Sequence, residues 1–188
     1  MANIDKPAGA RVVGHLDGSP YTGAGRRYHI PATDSTATFV GDFVKSAGSA
    51  DADGVPTIAQ AAATDTILGV ILSFEADPDN DSTLNRTAST SRYAMVADEP
   101  DIVVHIQEDA VGGALAATDI GNNCDITVGT GDTNTGLSAM EIDSSDAQTT
   151  SAQLRVLRLV RAADNEIGAN AVYECMINEH ERKSTTGT

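Results

Sequence analysis

Residues 93–113 read YAMVADEPDIVVHIQEDAVGG. Two apolar runs, Tyr93–Val96 and Ile102–Ile106, flank the polar break Ala97-Asp98-Glu99-Pro100-Asp101. Pro100 fixes its φ and lacks a backbone donor, so the chain is predicted to turn there. Ile102, Val104 and Ile106 share one parity, and Val103, His105 and Gln107 the other. That alternation predicts a strand with one face for a core and one mixed face. Two arrangements stay open: the runs pair across the turn, or the first is an edge strand. Either way the unit is the centre of an all-β fold.

The rest of the chain fits that class. Ile67–Glu75 (ILGVILSFE) is near-continuously apolar, as expected of a strand buried on much of both faces. Gly69 and the β-branched residues weigh against a buried helix. Gln153–Arg161 (QLRVLRLVR) is ambiguous. Arg155, Arg158 and Arg161 recur every third residue, as on a helix, yet a strand alternation also fits. We take it as a strand. Further short strands are expected at Val55–Ile58, Cys124–Val128, Leu137–Ile142 and Ala171–Asn178. Gly41-Asp42 inside ATFVGDFVK reads as a bulge or tight turn. Ser46–Gly54 reads as a loop. Ala59–Thr64 has helical propensity but is too short to be stable alone.

With 188 residues, one domain can bury a core without metal or disulfides. Aromatics make up only 4% and Trp is absent, so Val, Ile, Leu and Ala must build that core. The expected organisation is a single β-barrel or β-sandwich domain over residues 31–178. A Gly-rich extended arm precedes it (residues 1–30) and a flexible tail follows it (residues 179–188). On this division, deleting residues 1–30 leaves the barrel folded.

The formal charge of −15 argues against nucleic acid and anionic membranes as partners. The charge is uneven. Residues 31–154 carry 3 bases against 20 acids, residues 1–30 carry 4 bases against 2 acids, and residues 155–188 balance at 5 each. No apolar run is long enough to span a bilayer, and the N-terminus lacks a signal core. Synthesis in a reducing cytosol is expected.

No catalytic constellation is assembled from the sequence. His15, His29, His105 and His180 show no metal-ligand spacing with one another, and Cys124 and Cys175 fit no zinc pattern. His105 reads as a paired or half-exposed strand residue, and His180 as part of the tail. Asp98/Glu99 and Glu108/Asp109 flank strand ends, where acids face solvent. Asp77, Asp79 and Asp81 suggest a calcium loop but lack the Gly and Glu that an EF-hand requires. Asn85-Arg86-Thr87 matches a glycosylation sequon without a secretory context. No enzyme, cofactor or metal site is expected.

Five segments, GDFVKSAG, ILGVILSFEAD, YAMVADEPDIVVHIQEDAVGGALAATDIGNNCDI, TGLSAMEIDSS and AQLRVLRLVRAADNEIGANAVYECMIN, together resemble small structural proteins of tailed bacteriophages that decorate or cement the icosahedral head. The resemblance covers roughly residues 37–178. It implies a non-enzymatic β-barrel or β-sandwich that binds the outer face of the capsid, with the major capsid protein as partner and a homotrimer as the favoured assembly. Arg11, Arg26 and Arg27, with Tyr21 and Tyr28, are the expected contact residues on the arm. Alternatives are a tail or head-fibre component, or a carbohydrate- or ion-binding β-module.

Overall fold

Among the described residues, twelve strands form in chain order: β1 (Arg11–His15), β2 (Arg26–Ile30), β3 (Phe43–Ala50), β4 (Pro56–Gln60), β5 (Gly69–Phe74), β6 (Arg92–Ala97), β7 (Ile102–Gln107), β8 (Asn123–Cys124), β9 (Ile126–Val128), β10 (Met140–Ile142), β11 (Leu154–Leu159) and β12 (Val172–Ile177). The computed structural model describes residues 3–76 and 83–183. Helical structure among these is confined to three single 3₁₀ turns, at Ala117–Asp119, Ser144–Asp146 and Glu181–Lys183. The expected all-β class is therefore what the chain adopts.

The strands divide into a closed barrel, ordered β2-β4-β3-β5-β6, a five-stranded sheet, ordered β1-β7-β12-β11-β8, and a small β9-β10 pair. The opening stretch resolves in a third way. β6 and β7 do not pair with each other. β6 lies between β5 and β2 in the barrel, and β7 lies between β1 and β12 in the sheet. The Pro100 turn is thus the crossing from one half of the structure to the other.

Burial follows strand parity. Tyr28, Ile30, Val44, Ile58, Leu68, Ile71, Ala94 and Val96 fill the barrel. A second core holds Phe43 and Val70 from the outer side of β3 and β5, together with Ile102, Val104 and Ile106 of β7 and Leu154, Val156, Tyr173, Cys175 and Ile177 from β11 and β12. Adjacent residues Val70 and Ile71 therefore enter different cores. This explains why residues 67–75 read as apolar on both parities.

The ambiguity of residues 153–161 also has a structural answer. Val156 pairs with Cys175 and Arg158 with Glu174, so the register shifts across Leu157. A one-residue bulge turns a spacing of three into same-face spacing on a strand. Arg155 and Arg158 both face out, while Leu154 and Val156 are buried.

Four expectations are corrected. First, residues 1–30 are not an extended arm in the described part: β1 is the edge of the sheet and β2 a barrel stave. Asn3 bonds the Glu166 and Ala169 carbonyls at 2.8 and 2.9 Å, and Gln107 Nε2 donates to the Ile4 carbonyl at 2.8 Å. Removing 1–30 would open the barrel, because β2 pairs along its full length with β6. Second, residues 179–183 are docked. The Ile67 amide donates to the Glu179 carbonyl and the Glu181 amide to the Ile67 carbonyl, both at 2.9 Å, and His180 is 1% exposed. Third, Ser46–Ala50 extends β3 instead of looping, and β4 runs on through Gln60, into the segment of helical propensity. Fourth, Asp98 and Glu108, expected to face solvent, are buried. The calcium-like Asp77, Asp79 and Asp81 lie outside the described residues.

Arg86 carries a structural load that its sequence context hides. It is fully buried, and its guanidinium donates to four backbone carbonyls, those of Pro31, Asp34, Thr36 and Thr90. These belong to the loop after β2 and the approach to β6, whose carbonyls find no sheet partner. Burial lowers the Arg86 pKa, with Asp34 opposing. Arg86→Met would leave the Thr36 and Thr90 carbonyls without their donor in a dry site, and the Pro31 and Asp34 carbonyls with only the Asp34 and Ser89 amides. The expected loss is about 3–5 kcal/mol of unfolding free energy, read as a lower urea midpoint at unchanged m-value.

Candidate functional site

The outward face of the five-stranded sheet gathers basic side chains from three separated segments. Register places Arg11 of β1 opposite His105 of β7, His105 opposite Glu174 of β12, and Glu174 opposite Arg158 of β11. Arg158 Nη2 lies 2.6 Å from Glu174 Oε1, and His105 Nε2 lies 3.5 Å from Oε2 of the same carboxylate. Arg158 keeps 72% of its side chain exposed. Arg155, one register step away, donates from Nε to Asn123 Oδ1 at 3.0 Å. Glu174 is the one acid on this row, so the face carries a net positive charge. Its arginines are set at strand spacing on a hydrogen-bonded sheet, and each guanidinium offers a planar fork suited to carboxylates.

An apolar groove of about 370 Å³ runs along the other side of β1, between that edge strand and β5. Ala10, Val12, Tyr21, Ile71, Leu72 and Leu137 line it, and Arg11 stands at its rim. Its floor depends on Gly41, which has φ +91°. A Cβ there would come within 2.9 Å of the Ala8 carbonyl oxygen, and the Gly41 carbonyl accepts from the Ala10 amide at 2.9 Å. Arg11 belongs to both features because it lies on the edge strand.

The other expected contact residues have different places. Arg27 is engaged by Glu75, with Nε and Nη2 bonds of 2.7 and 3.0 Å, and its guanidinium carbon sits 3.5 Å from the Tyr93 ring centroid. The Glu75 hydrogen bond raises its pKa. Tyr28 points into the barrel, 5% exposed, which corrects its assignment to a contact surface. Its hydroxyl donates to Asp98 at 2.6 Å, and burial, then Asp98, pushes its pKa up to about 12. Arg26 reaches the same carboxylate at 3.7 Å, and Arg182 binds it as well. Asp98 is the buried anchor for three segments. Tyr21 is half-buried against His15, with ring centroids 5.7 Å apart.

His105 is a half-exposed strand residue with its Nε2 beside the Glu174 carboxylate. Cys124 and Cys175 are free and buried. Burial pushes the Cys124 thiol up to about 12 and the Cys175 thiol well above its usual range, which makes both poor nucleophiles. The sequence missed the arginine row because its members come from three strands whose pairing no local pattern reveals. The recoverable hint was the Arg155/Arg158 spacing, once read with a bulge.

Acids collect at one end of the sheet. Glu108 is fully buried and accepts from the Asn170 and Ala110 amides at 2.5 and 3.2 Å. Asp109 Oδ1 accepts from the Ser144 hydroxyl at 2.7 Å. Glu141 stands near both, and its Oε1 is buried without a hydrogen-bond partner among the described residues. Burial, with Asp5, Asp109 and Glu108 adding, raises its pKa from 4.5 to about 7.

Comparison with protein-family models, curated proteins and solved structures yields no match. Among the described residues, no helix is long and apolar enough to cross a membrane.

The Glu141 shift has a defined sign. The folded state holds this proton more tightly than the unfolded chain, so the associated stability is full below pH 4.5 and is lost as pH rises through 7. Glu141→Gln should therefore stabilise the protein at pH 8 by on the order of 1–2 kcal/mol, after discounting for partial exposure, and leave it unchanged at pH 4. Urea melts of both proteins at the two pH values measure this.

Proposed function

We propose that this chain is a virion structural protein that binds the outer surface of a phage capsid and stabilises the shell. Its contact surface is the arginine-bearing face of the five-stranded sheet together with the adjoining groove. The observation that carries the reading is the segregation of charge. A chain of formal charge −15 sets Arg11, Arg155 and Arg158 on one sheet face, where Glu174 is the one acid in the row. Such a face adheres to an acidic protein surface while the acidic remainder repels other particles. The sequence resemblance to head-decorating proteins supports the same reading.

The partner is then the major capsid protein, and a homotrimer is the favoured assembly. Contacts that are weak singly suffice when subunits are linked, because the second and third engagements become intramolecular. A trimer interface needs on the order of 1,600 Å² in total for stable association.

The test mixes purified protein with undecorated capsids of its phage, followed by sedimentation and electron cryo-microscopy. Density distributed over the shell is expected. Replacing Arg11, Arg155 and Arg158 together by Glu should weaken binding by roughly 100-fold or more while leaving the circular dichroism spectrum intact. Binding of the wild type should fall steeply with added salt. An unbound shell would end the proposal, and density at the unique vertex alone would replace it with the tail or head-fibre reading.

A further inference from the structure

The turn between β6 and β7 brings together side chains that the sequence keeps apart. His15, at the end of β1, pairs in register with Ile102, and the Leu16 amide donates to the Asp101 carbonyl at 2.9 Å. This clamps the crossing loop against the strand end. Glu99 and Asp101 flank Pro100, whose fixed φ limits how the two carboxylates can splay. His15 Nδ1 lies 3.6 Å from Glu99 Oε2 and 3.5 Å from Asp101 Oδ1. The three potential ligand atoms all lie within 4.8 Å of one another.

These distances discriminate between readings. Both exceed the 2.7–3.2 Å range of an N–H···O hydrogen bond, so the imidazole is not hydrogen-bonded to either carboxylate. Ligands bound at about 2.1 Å to a tetrahedral ion stand about 3.4 Å apart. The His–carboxylate separations match that edge. The imidazole is held, with 16% of its side chain exposed and the Tyr21 ring tilted against it at 49°. The carboxylates are 47% and 51% exposed and free to close on an ion. Two acids facing one another across a single imidazole leave a negative site on a chain already strongly negative, which favours a divalent cation.

We propose that His15, Glu99 and Asp101 form a binding site for a divalent transition-metal ion of the zinc class. One imidazole nitrogen and two carboxylate oxygens supply three ligands, and water completes a tetrahedral shell. The ion fastens the end of β1 to the loop that joins barrel and sheet, and so works as a structural clip. No local spacing reveals it, since no second histidine or cysteine is involved and Glu99 and Asp101 lie far along the chain from His15. The site stands independently of capsid binding.

Chelator-treated protein titrated with zinc chloride in a calorimeter should bind one ion per chain saturably. His15→Ala and Asp101→Asn should each weaken binding about 10-fold or more. The Asp101 variant guards against a folding defect, since its side chain is exposed and the backbone carbonyl that receives Leu16 is retained. Zinc should raise the melting temperature of the wild type and not of Asp101→Asn. Cobalt(II) substitution should give the intense visible bands of a four-coordinate ion. The absence of saturable heat up to about 1 mM zinc, or unweakened binding by both variants, overturns the site. A weak six-coordinate cobalt spectrum overturns the tetrahedral assignment.

Discussion

The barrel and the five-stranded sheet share a wall, and the wall exists because β5 and the first residues of β3 are apolar on both faces. Phe43 and Val70 look toward the sheet, and Val44 and Ile71 look into the barrel. A chain almost without aromatics has few large side chains to fill space. It meets that constraint by letting two strands serve two cores at once. Everything polar must then leave through strand ends and crossings. That is where buried Asp98, Glu108 and Arg86 sit, each tied to backbone or side-chain partners.

The fold class and most strand positions were legible, and the reasons are local. Alternation in Ile102–Ile106 and double-sided apolarity in Ile67–Phe74 report burial directly. Pairing was not legible. The runs around Pro100 look like a hairpin, yet the turn sends β6 and β7 to different sheets. The Gly-rich first thirty residues look like an arm because they are short of large apolar groups. Their strands hold by backbone bonds to β6 and β7, and those bonds leave no trace in composition. His180 looked like a tail residue because its burial depends on Ile67, far away in sequence.

The same limit governed the site. Of five expected contact residues, Arg11, Arg26 and Arg27 stay exposed, and of these Arg11 joins the charged row. Tyr28 and Arg27 are drawn inward or paired by Asp98 and Glu75. Arg155 and Arg158, which join Arg11, were visible as a spacing that resembled a helix. The bulge at Leu157 converts that spacing into a face. The proposed contact surface therefore lies on a rigid sheet and not on a terminal arm.

The strand order carries a consequence for how the chain reaches this state. β1 and β2 are synthesised first, but they pair with β7 and β6, which emerge much later. Until then β1 has only the bridge of its own turn, Gly14 with Pro20, and β2 a single bridge to β4. Loops closed by such distant pairings form slowly, and unpaired edges invite association with neighbouring chains. The barrel has all its staves once β6 has emerged, whereas the sheet must wait for β11 and β12 at the far end of the chain.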